Sequence, residues 1–180
     1  MADAAPLAAP SRHPAPRAVR AYAACMPTPF AVLGIRTSDT AVTALDYLPI
    51  DHPTHDPTSP VAARAVAAIE RYLDDPAYVF DLPLEPAGTP FQKAVWRAIL
   101  AIRAGDARTY GALARDLESE PRAVGQACGS NPIALVIPCH RVTAAGNRLG
   151  GFMHSTGDHA LDIKRWLLAH EREVVEPTLF

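Results

Sequence analysis

A cysteine, a histidine and an arginine stand side by side at Cys139, His140 and Arg141, directly after the apolar run IALVI at 133–137 and Pro138. A thiol attacks as its thiolate, and basic or cationic neighbours favour that form. Pro138 fixes φ and removes an amide donor, which sets Cys139 on a stiff corner. The same residues also fit an inert buried thiol beside a surface histidine. In extended backbone the side chains of Cys139 and His140 point to opposite faces, so a bridging water or a third residue has to connect them. Glu171 supplies a carboxylate near the end of the last helix, where a solvated helix-end acid is the plain alternative.

The elements that must position these groups are readable in outline. The stretches 30–36 and 40–48 are apolar and β-branched around Ser38-Asp39, which predicts a hairpin. A Pro-rich polar loop follows over 51–60. Its His52 and His55 lack the further ligands of a metal site and read as loop residues. Ser59 and Pro60 open a helix with Ala62, Ala65, Val66, Ile69, Tyr72 and Leu73 on one face. Residues 83–90 (PLEPAGTP) read as a linker. Thr89 and Pro90 start another helix, whose expected buried stripe is Phe91, Val95, Ala98, Ile99 and Ile102, ended by Gly105.

Thr109 caps a short helix over 110–117, and a turn at 118–120 leads into a helix opened by Pro121. Two short helices and a tight turn fit helix-turn-helix, a pattern that ordinary helical cores share. Arg122, Ala123, Gly125, Gln126 and Ala127 give the third helix a small, lightly polar exposed face. Gly125 costs helix stability of about 1 kcal/mol and calls for a reason, while Gly129 is placed to end the helix. Cys128 is expected on the packed side. The run IALVI reads as a buried strand, and the last helix carries apolar Leu161, Ile163, Trp166, Leu167 and Leu168.

Composition narrows the classes. The chain has 180 residues, 49% hydrophobic and 20% charged, with a formal net charge of −2. These values exclude collagen-like, coiled-coil and wholly disordered chains. Charge is unevenly spread: residues 1–88 hold 6 basic and 10 acidic side chains, residues 89–173 hold 11 and 8. A polyanion is therefore expected on the second half. Three cysteines without a CxxC pair suit a reducing cytosol, so the expected location is cytoplasmic. No apolar run approaches the length of a membrane span. The Ala-rich, basic residues 1–20 are broken by Pro6, Pro10, Pro14 and Pro16 and read as a disordered tail.

Five motifs in order resemble the methylated-DNA protein-cysteine methyltransferases, the alkylguanine-DNA alkyltransferases. They are GTPFQKAVW at 88–96, TYGALA at 109–114, RAVGQACGSNP at 122–132, PCHRV at 138–142 and KRWLLAHE at 164–171. The resemblance implies an α+β fold: a small ribonuclease-H-like α/β domain over 21–84, then a mostly helical, winged-helix-like domain with a helix-turn-helix over 85–175. It implies a monomer that takes an alkyl group from the 6-oxygen of guanine, less readily from the 4-oxygen of thymine, in duplex DNA. Cys139 would be the acceptor, used once, without metal or organic cofactor.

By the same resemblance His140 is the water-bridged base, Glu171 its orienting carboxylate, and Asn131 the brace of the turn beside the cysteine. Tyr110 would press on the phosphate 3′ of the target and protonate the leaving guanine. Arg122 would fill the gap left by the flipped base, with Ala123, Gly125, Gln126 and Arg141 also on the DNA side. Two features depart from the pattern: a short turn carrying Glu118 and Glu120, and a longer lid over 150–160 with Met153, His154, Ser155 and His159. Two readings from other classes remain at this point, a lesion-sensing DNA-binding protein without chemistry and a Cys-His hydrolase.

Overall fold

A computed structural model describes residues 22–146 and 148–172; the expected tail at 1–20 lies outside them. The hairpin forms as β2 (Val32–Thr37) and β3 (Val42–Leu48), antiparallel, with a register shift between Arg36 and Thr37. A further strand, β1 (Ala24–Pro27), pairs antiparallel with β2 and completes a three-stranded sheet in the order β1-β2-β3. Helix α1 (Pro60–Asp74) is capped by the Ser59 hydroxyl and buries Ala62, Ala65, Ala68, Ile69 and Tyr72. It packs across the sheet.

Helix α2 (Pro90–Leu100) starts with a full capping box between Thr89 and Gln92. It ends at Leu100, earlier than Gly105 implied, and Gly105 instead takes a left-handed φ of 81°. Its buried face also differs from the expected stripe. Trp96 turns inward, where its indole N–H donates to the Ala127 carbonyl at 2.8 Å, while Phe91 is left 37% exposed. Burying indole is favourable once its one donor is satisfied.

Strand β4 (Arg108–Thr109) leads into α3 (Tyr110–Asp116) and α4 (Pro121–Gly129). β4 pairs in parallel with β5 (Val142–Thr143), which follows the cysteine. Helix α5 (Asp158–Arg172) closes the described chain. One connected set of buried apolar residues runs from the sheet through α1 and α2 to α5. No helix among the described residues is long and apolar enough to cross a membrane.

The run IALVI is buried as expected but is not a strand. It forms a tight loop with isolated bridges, Leu45 to Ile133 and Ala134 to Ile137, and Leu135 sits at φ 89°. The continuous apolar pattern reported burial alone. A left-handed residue at its centre is incompatible with a strand.

Candidate active site

Cys139, His140 and Arg141 form a single 3-10 turn rather than extended backbone, and all three are buried. The Pro138 carbonyl accepts the Arg141 N–H at 3.0 Å, so the proline closes the turn as well as stiffening its start. Asn131 braces this corner from the end of α4. Its Nδ2 donates to the Ile137 carbonyl at 2.8 Å, and its Oδ1 accepts the Ile133 N–H at 3.0 Å.

Cys139 lies at the base of a cavity of about 210 Å³. Tyr110 of α3 and Gly125, Cys128 and Gly129 of α4 form one wall, and Gly151 to His154 form the other. Cys128 is thus buried as expected, yet it faces the same space as Cys139. Burial raises its thiol to about 12, reinforced by the neighbouring Cys139. Burial also pushes the Cys139 thiol up, against the opposing pull of the Asn131 hydrogen bond and the Lys164 charge. At neutral pH the resting group is therefore the thiol, and a base must take its proton when it reacts.

The neighbouring imidazole can accept a proton. Burial lowers the His140 imidazole, which keeps it neutral and able to accept. Its Nε2 meets Glu171 Oε1 at 2.8 Å, while its Nδ1 is buried without a protein partner. Glu171 is 1% exposed and also receives the Tyr72 hydroxyl at 2.8 Å and Arg141 at Nε (2.9 Å) and Nη2 (2.8 Å). Burial opposes its charge, but the hydrogen bonds from His140 and Arg141 and the charge of Arg141 outweigh it and hold the carboxyl at about 2.

Arg141 corrects one expectation. It is 9% exposed, binds Glu171 with two nitrogens, and donates the third to the Ile102 carbonyl, so its guanidinium is committed to the interior and not offered to DNA. The resemblance puts Arg141 on the DNA side; the fold turns it inward by bringing up an acidic partner 30 residues further on. On α4, Arg122 and Gln126 are exposed, and Ala123 and Gly125 partly so. Ala127 is buried, its carbonyl taken by Trp96.

The two glycines of α4 differ in purpose. A Cβ on Gly129 would lie 2.5 Å from the His154 ring, so close packing of the lid requires glycine there. A Cβ on Gly125 would meet only Tyr110 Cδ1, at 3.9 Å. Nothing among the described residues needs Gly125 to be small, and the space it leaves belongs to the cavity.

Lys164 is a site residue that sequence reasoning passed over. It is fully buried, and its Nζ donates to the carbonyls of Val142 (2.6 Å), Leu149 (2.6 Å) and Gly151 (3.0 Å). It therefore ties the strand after the cysteine to the lid. Burial lowers its ammonium to about 8, although nearby Cys139 and Cys128 favour its charge. The Tyr110 hydroxyl donates to the same Gly151 carbonyl at 3.2 Å. Burial, then Cys128 and Cys139, raise its phenol, which therefore stays protonated. In the lid, His154 Nε2 meets the Ser130 hydroxyl at 3.0 Å, and Met153 and His154 both hold left-handed backbone.

Comparison with known proteins agrees with this geometry. Residues 90–173 match the family model for the DNA-binding domain of 6-O-methylguanine DNA methyltransferase. The methylated-DNA protein-cysteine methyltransferase of Haemophilus influenzae is 36% identical over 159 residues, covering 84% of this chain and 86% of that protein. The Methanosarcina mazei protein of the same name is 43% identical over 105 residues, 57% of this chain and 63% of that one. The crystal structure of Mycobacterium tuberculosis O6-methylguanine methyltransferase superposes with a TM-score of 0.71 at 32% identity, covering 83% of this chain and 91% of that one. The Mycobacterium tuberculosis OGT structure in complex with DNA gives 0.70 at 33%, covering 83% and 92%.

Proposed function

This chain belongs to the methylated-DNA protein-cysteine methyltransferase family, and from that premise we propose that it repairs alkylated DNA by moving the alkyl group from the 6-oxygen of guanine onto Cys139. The observation that carries this reading is a buried thiol lining a cavity walled by α4, with a neutral imidazole and an ionised carboxylate paired next to it in the interior.

A water between His140 Nδ1 and Cys139 Sγ passes the thiol proton to the imidazole. It would satisfy the unpartnered Nδ1 and join two side chains that share no hydrogen bond. Glu171 orients the ring and stabilises the imidazolium. The sulfur then attacks the alkyl carbon in line: the S–C bond forms, the C–O bond breaks, and guanine leaves with the electron pair. Tyr110, protonated in the cavity wall, donates a proton to it. The thioether formed holds no good leaving group, so each molecule acts once. The 4-oxygen of thymine is a lesser donor.

The target atom is unreachable inside a stacked duplex, so the base is flipped into the cavity. Arg122, exposed at the start of α4, fills the gap. The α3–α4 pair acts as a winged-helix-like helix-turn-helix docked in the minor groove, with Ala123, Gly125 and Gln126 on the contact face. The sheet with α1 is a ribonuclease-H-like unit, and the working form is a monomer. Cys139 in the cavity lining, with the His140–Glu171 pair buried next to it in the chain, favours chemistry over lesion sensing alone. A hydrolase would need repeated turnover.

Replacing Arg122 separates flipping from chemistry. Filling the gap offsets part of the few kcal/mol of unstacking, so Arg122→Ala is expected to slow methyl transfer from a duplex by about 10- to 100-fold. Transfer from free 6-O-methylguanine base should be unchanged. Equal losses on both substrates would remove the flipping role, and no transfer by the wild type from either would overturn the function.

A further inference from the structure

Among the described residues, two buried side-chain polar atoms have no hydrogen-bond partner: His140 Nδ1 and the Tyr47 hydroxyl. Leaving a buried polar atom unpaired is costly, so each of the two calls for an explanation. Tyr47 belongs to β3, outside the residues that the family model matches. Its residue is partly exposed, but its hydroxyl is sealed from solvent.

Several contacts place Tyr47 against the cavity that holds the reacting thiol. The Tyr47 ring packs edge-on against Phe152, with centroids 5.9 Å apart, and Phe152 lines the cavity with Cys139. β3 is fastened to the turn that Asn131 braces, through the Leu45 N–H and the Pro132 carbonyl at 2.8 Å. Burial, then the nearby Cys139 and Tyr72, push the Tyr47 phenol well up. Tyr72 in turn binds Glu171, the partner of His140. Tyr47 thus packs on a cavity-lining ring and belongs to a strand tied to the turn beside Cys139.

We infer that the Tyr47 hydroxyl is a positioning residue of the proton relay, donating to the same bridging water that serves His140 Nδ1 and Cys139 Sγ. One water with three such partners meets the ordinary requirement for a buried site. The hydroxyl fixes where that water sits and, by hydrogen bonding through it, favours the Cys139 thiolate as it forms. Tyr47 itself exchanges no proton with the substrate. The inference rests on the proposed transfer chemistry for its purpose, though the thiol can be tested without it.

The test is the pH dependence of Cys139 alkylation by iodoacetamide, read by peptide mapping, in the wild type and Tyr47→Phe. Lys164, Tyr110, Cys128 and the His140–Glu171–Tyr72 cluster also surround the thiol, and all stay in place in this variant. Phenylalanine keeps the ring contacts, so a purely structural Tyr47 predicts no change. The expected result is a midpoint raised by about one pH unit and alkylation slowed by about tenfold at neutral pH. Methyl transfer from duplex DNA should slow in parallel.

Phe30→Leu, which alters a second ring contact of Tyr47 with centroids 6.0 Å apart, should leave the midpoint unmoved. An unshifted midpoint in Tyr47→Phe, or an equal shift in Phe30→Leu, would overturn the inference. A shifted midpoint in a protein that takes no methyl would uphold the hydroxyl's role and reject the repair function.

Discussion

Cys139→Ser is expected to lower methyl transfer by roughly 10⁴-fold or more, since losing the nucleophile removes the step on which the rest of the site acts. Serine is close in size, and Cys139 is only 3% exposed, so the fold and duplex binding should persist. Gel-shift titration with methylated duplex, beside the transfer assay, separates the two effects. Cys128 makes this variant informative, because it lines the same cavity. Its thiol, held at about 12, should not substitute. A methyl on Cys128 in the serine variant would show that the cavity, rather than the relay, selects the acceptor.

Glu171→Gln is expected to give the largest loss of stability. Glu171 holds Arg141 with two hydrogen bonds and also takes one each from His140 and Tyr72, all in the interior. Removing its charge strands a buried guanidinium, and breaking such a pair costs about 3–5 kcal/mol. Urea unfolding at neutral pH measures this directly. The pH dependence follows from the carboxyl being held at about 2, below the ~4.3 of an unfolded glutamate. The folded state then binds fewer protons than the unfolded one. Its contribution, about 3 kcal/mol, is complete above the unfolded value and is lost as pH falls from there toward 2. The glutamine variant should lack that acid limb. A wild-type limb identical to the variant's would mean that Glu171 is not the linked group. Transfer should also slow, because glutamine cannot stabilise the imidazolium.

The positions where local chemistry decides the structure were legible. Ser59-Pro60 and Thr89-Pro90 mark the starts of α1 and α2 because capping is settled within four residues. The hairpin of β2 and β3 is similarly short-range. By contrast β1, with the sequence ACMP, offers no alternation, and its pairing depends on β2 being present. IALVI gave burial without conformation, since a continuous apolar run carries no period.

The site was legible in its residue types more than in its partnerships. The apolar positions read for α5 were Leu161, Ile163, Trp166, Leu167 and Leu168, whereas the buried ones are Ala160, Ile163, Lys164, Leu167 and Glu171. Lys164 and Glu171 stand seven residues apart on the face that holds Ile163 and Leu167. Charged residues at inward positions of an amphipathic helix are a signal the sequence contains. Arg141 was misplaced because only the fold brings it to Glu171. Tyr47 gave no signal of its own, being one aromatic among several in a hairpin.

The central claim is that Cys139 accepts one alkyl group from guanine and is not regenerated. Intact mass followed by peptide mapping, after incubation with a duplex containing one 6-O-methylguanine, tests it most directly. The account predicts one added methyl on Cys139, saturating at one per protein molecule however much duplex is supplied. An unchanged mass in a protein that still binds the duplex, or guanine released over many turnovers without a modified cysteine, would contradict it.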